Sequence, residues 1–352
     1  MKVLQINIFG NLSTGRIASE ICKTLYENGE EGVLAFARNN TDSGIKSIRI
    51  GTDLDVKIHG VMTRITDKTG FYSSNATKKL VEEIKAYRPD IIHLHNIHGY
   101  YINIEILFNY LKSTHIPVVW TLHDCWAYTG HCCYYSVANC LRWKTGCYEC
   151  PQKGAYPASI LMDNSKWNYK KKKELFNSIK MTLVPVSKWL AEEVHYSFLN
   201  KQPMKVIYNG IDLDTFKPTE SKFKEKHGIL GKKIVLGVAS TWDVRKGLKD
   251  FVKLSEMLDD SWKVVVVGVN DDELKSLPNC MIGVKRTNSV QELAEIYSAA
   301  DVFFNASVEE TFGLPTVEAM ACGTPAIVYD TTALPEVVNV VVLWLSHMIL
   351  KV

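Results

Sequence analysis

Short runs of β-branched and aliphatic residues alternate with helical stretches along this chain, and that alternation limits the fold more than any other feature. VLQINIF leads into a helical pattern over 17–26 and then GVLAFA; a helix over 77–87 leads to Pro89-Asp90 and IIHLH. A helix over 102–112 leads to IPVVWTLHD, and a basic helix over 164–178, the strand TLVPVS and a helix over 188–196 follow. The pattern then restarts with KIVLGVAS, a helix over 247–258, KVVVVG, a helix over 290–299, DVFFNAS, a helix over 315–321 and PAIVYD. Strands that are apolar along their whole length belong to parallel sheets covered by helices on both faces. The sequence therefore predicts an α/β protein with two doubly wound domains in series, 1–200 and 205–338, joined near Asn200–Lys205 around Pro203.

Composition agrees. At about 150 residues per domain, 352 residues make two, and 46% apolar content is enough for two cores. With 41 basic and 38 acidic residues the net charge is +3, which excludes a nucleic-acid-coating role and a highly charged disordered chain. The N-terminus MKVLQINIFG has one Lys, a short apolar run and no small-residue cleavage site, so it reads as a first strand rather than a signal peptide. No run reaches the roughly 18 apolar residues of a membrane span; Val337–Leu350 comes nearest and carries Asn339, Ser346 and His347. A cytoplasmic location follows as an expectation, with the nine cysteines mostly reduced.

In doubly wound sheets ligands sit beyond the carboxyl ends of the strands. The first such turn runs Gly10–Arg16, with Ser13, Thr14, Gly15 and Arg16 opening a helix. It reads either as a tight turn or as amides and a helix dipole offered to phosphate or an anionic acceptor. It is not a dinucleotide fingerprint, because the second strand ends in Ala37-Arg38 rather than an acid, and it lacks Gly-Lys-Ser/Thr. Near the C-terminus, SVEETFGLPTVEAMACGTPAIV sets Glu310 before a helix and Glu318 one turn inside it, with Pro315 near the helix start. Two carboxylates so spaced can grip two parts of a sugar ligand, or can simply be good helix chemistry. After KIVLGVA, STWDVRKG brings Arg245 and Lys246 to a strand end. Arg offers phosphate a bidentate fork and Lys a point charge.

NGID at Asn209–Asp212, the Arg245-Lys246 pair and E-T-F-G-L-P-x-x-E-A-M-A-x-G-T-P-A-I together resemble the retaining glycosyltransferases of family 4, which build bacterial polysaccharides and lipopolysaccharides. PDIIHLHN and TLHD in the first half agree. The resemblance covers about Met1 to Val338 and implies a GT-B fold: two Rossmann-like domains facing each other across a cleft, the first taking the acceptor and the second the nucleotide-sugar donor. It implies that Arg245 and Lys246 hold the donor diphosphate, that Glu310 contacts the donor sugar and Glu318 the ribose, and that the amides of Phe312, Gly313 and Leu314 bind phosphate or sugar oxygens. His123, ending the fifth strand, would face the transferred sugar, with Gly15 near the donor and Ser13, Thr14, Arg16, Asn96 and His98 on the acceptor side. Asp124 would fix the His123 tautomer or cap the loop. The implied reaction moves a sugar from a nucleotide-diphosphate sugar to a glycan or lipid-linked acceptor, with retention and without a metal. The departing phosphate accepts the acceptor's proton, so neither a protein nucleophile nor a paired-carboxylate mechanism is needed.

Two features lie outside that scheme. Six of nine cysteines fall between Cys125 and Cys150, inside an irregular stretch over 123–157. Cys132, Cys140, Cys147 and Cys150 end in a CxxC and suit a structural zinc; disulfides and free thiols remain alternatives. Lys170–Lys173, with Lys166, Trp167 and Tyr169, makes a basic helix that reads either as a solvated face or as a site of peripheral contact with an anionic membrane at the inner face of the cytoplasmic membrane.

After LPEVV the family pattern expects a Gly-rich stretch and further helices, whereas this chain continues NVVVLWLSHMILKV over 339–352. The tail reads as truncated or altered. Two other readings accompany the main one: a nucleotide-sugar 2-epimerase of the same fold, and an inactive remnant that only binds nucleotide.

Overall fold

The computed structural model describes residues 1–338, so the apolar tail 339–352 lies outside the described residues. The chain divides into two units, the first spanning Met1–Tyr208 and the second beginning at Asn209.

The first unit contains β1 (Lys2–Ile6), α1 (Thr14–Glu27), β2 (Glu31–Phe36), β3 (Ser47–Arg49), α2 (Asp53–Thr66), α3 (Ser74–Tyr87) and β4 (Ile91–Leu94). It continues with α4 (Ile104–Lys112), β5 (Val118–Leu122), α5 (Ser165–Phe176), β6 (Thr182–Pro185) and α6 (Lys188–His195). The six strands pair in the order β3-β2-β1-β4-β5-β6, all parallel. The link expected at Asn200–Lys205 instead belongs to this unit, because it runs along β6. Lys205 N–H donates to Leu183 O at 3.0 Å and Ile207 N–H to Pro185 O at 3.2 Å.

The second unit contains α7 (Phe223–Lys226), β7 (Lys233–Val238), α8 (Leu248–Met257), β8 (Trp262–Val267), α9 (Asp271–Ser276) and β9 (Met281–Val284). It ends with α10 (Val290–Ala299), β10 (Val302–Asn305), α11 (Leu314–Ala321), β11 (Ala326–Val328) and α12 (Leu334–Val338). Its parallel sheet runs β11-β10-β7-β8-β9. KVVVVG is apolar throughout because β8 faces a core on each side. Val265 and Val267 pack with Phe303 and Tyr297, while Val264 and Val266 pack with Phe251 and Trp242. Each fully buried Val contributes about 1.5–3 kcal/mol.

Each sheet has one place where connections depart in opposite directions, between β1 and β4 in the first and between β7 and β10 in the second. The loops that leave such neighbouring strands open a crevice at their carboxyl ends, and the residues singled out from sequence cluster there.

Candidate functional site

In the second unit the loops after β7 and β10 are sewn together. Val308 N–H donates to Arg245 O at 2.9 Å. Gly247 has φ 70°, and a Cβ there would sit 2.5 Å from Ala306 O, so only glycine lets the β7 loop lie this close to the β10 loop. Asp243 accepts from Arg245 N–H at 2.9 Å and from its guanidinium at 2.7 Å. The Lys246 ammonium is ion-paired with Glu310, whose carboxylate also accepts from Ser307 Oγ at 3.1 Å. Thr332 Oγ1 accepts from Glu310 N–H at 3.0 Å. Both cations expected to be open to a diphosphate are thus already matched by a carboxylate within the unit.

Gly313, with φ 89°, precedes α11, which carries Pro315 in its first turn. Phe312 is buried and Leu314 half-buried at this helix start. Glu318 is 3% exposed and accepts from Tyr297 OH at 3.0 Å. Sequence reading missed Asp243, Ser307, Thr332 and Tyr297. Asp243 and Ser307 were visible as polar residues in the two loops; nothing local marks Thr332, which follows β11, or Tyr297, which arrives from α10.

In the first unit the turn before α1 is held by its own side chains. Thr14 Oγ1 donates to Asn7 Oδ1 at 3.1 Å, and the same oxygen accepts from Asn96 N–H at 3.2 Å. Ser13 has φ 49° and makes no side-chain cap; Gly15 N–H donates to Leu12 O at 2.8 Å, and Arg16 is half-buried.

His123 follows β5 and is 8% exposed. Its Nε2 lies 3.0 Å from His95 Nδ1, and His95 Nε2 lies 2.6 Å from Gln5 Oε1. An amide oxygen accepts, so His95 keeps its proton on Nε2 and receives one at Nδ1. His123 therefore donates from Nε2, and its Nδ1 carries the lone pair. Burial pushes His123 down to about 3 and His95 well below the usual range, so both rings are neutral.

Of the two roles expected for Asp124, capping the loop is the one its hydrogen bonds show. It bonds His98 Nε2 at 2.7 Å and caps Trp126 N–H at 2.9 Å, and the His123 tautomer is held from the other side by Gln5 and His95. Burial works to raise the Asp124 carboxyl, but the neighbouring His98 leaves it below the ordinary range. Nothing in the sequence links Gln5 to His95, 90 positions apart; adjacent strands bring them together.

None of the nine cysteines is joined in a disulfide. Cys132 and Cys150 share a hydrogen bond, which pushes the first thiol up and the second down. Gly130 N–H donates to Cys147 Sγ at 3.1 Å. Among the described residues, no three of the sulfurs of Cys132, Cys140, Cys147 and Cys150 lie within 4.8 Å of one another; the donor atoms that do belong to His98, Asp124 and Cys133. The stretch also has more core than expected, with Tyr128, Tyr135 and Trp143 buried and Trp143 centred 5.0 Å from both tyrosine rings.

The lysine run is not one solvated face. Lys172 is 1% exposed, donates to Trp126 O at 2.6 Å and lies 3.8 Å from the Trp126 ring centre. Lys171 pairs with Glu105 at 2.8 Å, and only Lys170 and Lys173 are exposed. No helix among the described residues is long and apolar enough to cross a membrane.

Comparison with known proteins follows the same division. Residues 15–215 match the model described as Glycosyltransferase Family 4, more than half of the chain, and residues 219–341 match Glycosyl transferases group 1. The O-antigen chain mannosyltransferase RfbU of Salmonella typhimurium is 28% identical over 149 residues, 40% of this chain and 39% of that protein. The chain thus aligns with only about two fifths of that relative's length. Among solved structures, the sucrose-phosphate synthase of Thermosynechococcus elongatus aligns at TM-score 0.66 and 16% identity, over 95% of this chain and 82% of that one. Anabaena HepE, in complex with UDP-glucose, aligns at 0.62 and 16%, over 96% and 82%. These likenesses establish the GT-B type of fold, built from two parallel-sheet Rossmann-like domains. The chain belongs to glycosyltransferase family 4.

Proposed function

We propose that the protein is a metal-independent, retaining glycosyltransferase that moves a sugar from a nucleotide-diphosphate sugar to a glycan or lipid-linked acceptor. The work would be cell-surface polysaccharide or lipopolysaccharide synthesis at the cytoplasmic side of the membrane. The observation that carries this reading is the Lys246–Glu310 pair, set between two strand-end loops and followed by the amide end of α11. The relative named as an O-antigen mannosyltransferase and the neighbour solved with UDP-glucose support it.

In this reading the donor diphosphate takes Lys246 and Arg245 from their carboxylate partners. Negative charge grows on the leaving phosphate as the glycosidic bond breaks, and fixed cations and amides lower that barrier. Glu310, released from Lys246, accepts hydroxyls of the donor sugar. His123, neutral and bearing its lone pair on Nδ1, accepts a hydroxyl hydrogen bond rather than supplying charge. The departing phosphate oxygen takes the acceptor proton, so no carboxylate needs to act as a nucleophile.

The test has two steps. UDP, GDP and ADP are screened for thermal stabilisation, and the matching nucleotide sugars are then incubated with lipid-linked acceptors. Release of free epimer without transfer, or nucleotide binding without turnover, would replace this reading with one of its two rivals.

We also propose that Cys132, Cys140, Cys147 and Cys150 hold a structural zinc. Zinc–sulfur bonds of about 2.3 Å would require these side chains to draw closer together. The support is Lys172, a buried ammonium whose acidic neighbours include Cys147, Cys133 and Cys132; a negatively charged metal–thiolate group would match it.

A further inference from the structure

α2 shows its apolar side to solvent. Leu54, Ile58, Val61 and Ile65 recur on one helix face and are 65%, 53%, 54% and 37% exposed, while the positions it buries are His59, Gly60 and Thr63. A surface helix packed for water alone would have the opposite pattern. Ile160, Leu161 and Met162 extend the apolar area. Ile160 N–H donates to Arg64 O at 2.7 Å and Met162 N–H to Ile65 O at 3.1 Å, which pins this turn against the end of α2 with all three side chains exposed. Seven large apolar side chains are thus exposed on one face of α2 and on the turn pinned to its end.

The border of that face is basic. Lys57, Arg64 and Lys166 are exposed, Lys153 Nζ donates to Leu161 O at 3.3 Å, and Lys68 lies 4.3 Å from the ring centre of the part-exposed Trp167. The acids nearby are engaged locally. Asp53 pairs with Arg49 at 2.5 Å, Asp55 closes the cap of α2 with Thr52, and Asp163 accepts from the amides of Cys150 and Ser165.

We propose that this face, formed by α2 and residues 160–162, docks the protein onto the interface of an anionic lipid bilayer. Apolar side chains level with acyl chains, a ring of lysine and arginine at headgroup depth and a tryptophan at the boundary are what such an interface accepts. A second copy of this chain would bring two like-charged borders together, which disfavours self-association. The surface differs from the lysine run of α5, whose central lysine is buried, and the docking does not depend on which sugar is transferred.

The experiment is co-sedimentation of the full protein with vesicles of phosphatidylglycerol and cardiolipin, compared with pure phosphatidylcholine vesicles. Binding to the anionic vesicles, weakened by added salt, is expected. The double variant Ile58→Asp/Leu161→Asp, changed only at exposed positions, should bind at least tenfold more weakly with an unchanged melting temperature. Lys170→Glu/Lys173→Glu should bind nearly as the parent does. The proposal is overturned if the first variant binds as well as the parent, if only the second loses binding, or if sedimentation equilibrium reveals a dimer that the first variant dissolves and no vesicle binding. If Ile58→Asp/Leu161→Asp misfolds, Val61→Ser/Ile160→Ser supplies the same comparison.

Discussion

The ammonium of Lys246 is neutralised by the carboxylate of Glu310, which stands on the neighbouring strand-end loop and is 8% exposed. A diphosphate must therefore compete with Glu310 for this cation. Glu310→Gln removes the competitor, so the nucleoside diphosphate alone should bind about three- to tenfold more tightly by calorimetry. Transfer should still fall about a hundredfold, because the donor sugar exchanges a charged acceptor for a neutral amide. Tighter binding combined with slower turnover separates this from simple loss of folding; weaker diphosphate binding would refute it.

Gln5 should govern His123 through His95. In Gln5→Leu the acceptor for His95 Nε2–H is gone, and the His123 proton should redistribute between its two nitrogens in 15N spectra of histidine-labelled protein. kcat should drop about tenfold, the scale of one orienting hydrogen bond. His95→Phe preserves the ring stacking on His123 and should give the same spectrum. An unaltered tautomer in both variants would reduce these residues to packing.

His59 should make the fold acid-sensitive. Its Nε2 accepts from Gly70 N–H at 3.2 Å, which requires an uncharged ring, and burial lowers it to about 3. Because the folded value lies below the unfolded one of about 6.5, the unfolded chain takes up the proton first. Stability contributed by the neutral ring is then complete above about pH 6.5 and falls as pH drops towards 3, by about 2 kcal/mol at pH 5 from this group alone. Urea titrations at pH 7.5 and 5 measure it, and His59→Asn should shrink the difference by about this amount, the buried neutral His95 and His123 keeping the rest. Equal stabilities at both values in the parent would contradict the assignment.

Metal analysis of protein purified without chelator should find about one zinc per chain. Cys147→Ser should reduce that sharply, and chelation should lower the melting temperature of the parent more than that of Cys147→Ser. Metal far below one per chain in the parent would leave the cysteines as packed thiols.

The sheet strands were legible because parallel strands are buried on both faces and so read as unbroken apolar runs, as in β1 and β8. The strand-end location of Arg245, Lys246 and Glu310 followed from the same rule. α2 escaped because its apolar residues point outward and its inner face is His59, Gly60 and Thr63, so the usual pattern is inverted. β9 escaped because four residues, MIGV, carry too little periodicity. Pairings across distant segments, such as Gln5 with His95 and Glu318 with Tyr297, exist only once strands and helices are adjacent, and composition cannot announce them.

The burial of Lys172 bears on how this lineage can be recombined. The stretch after β5 leans on α5: Lys172 reaches Trp126 O, and Gly130 packs so tightly that a Cβ would stand 2.2 Å from Ser165 O. His131 also bonds Asp67 at the end of α2. A chimera that exchanged residues 125–150 alone would put at risk the Trp126 ring over which Lys172 lies and the close fit of Gly130 to Ser165. Transplanting this stretch between relatives therefore demands moving α5 and the α2 terminus with it, as one heritable block.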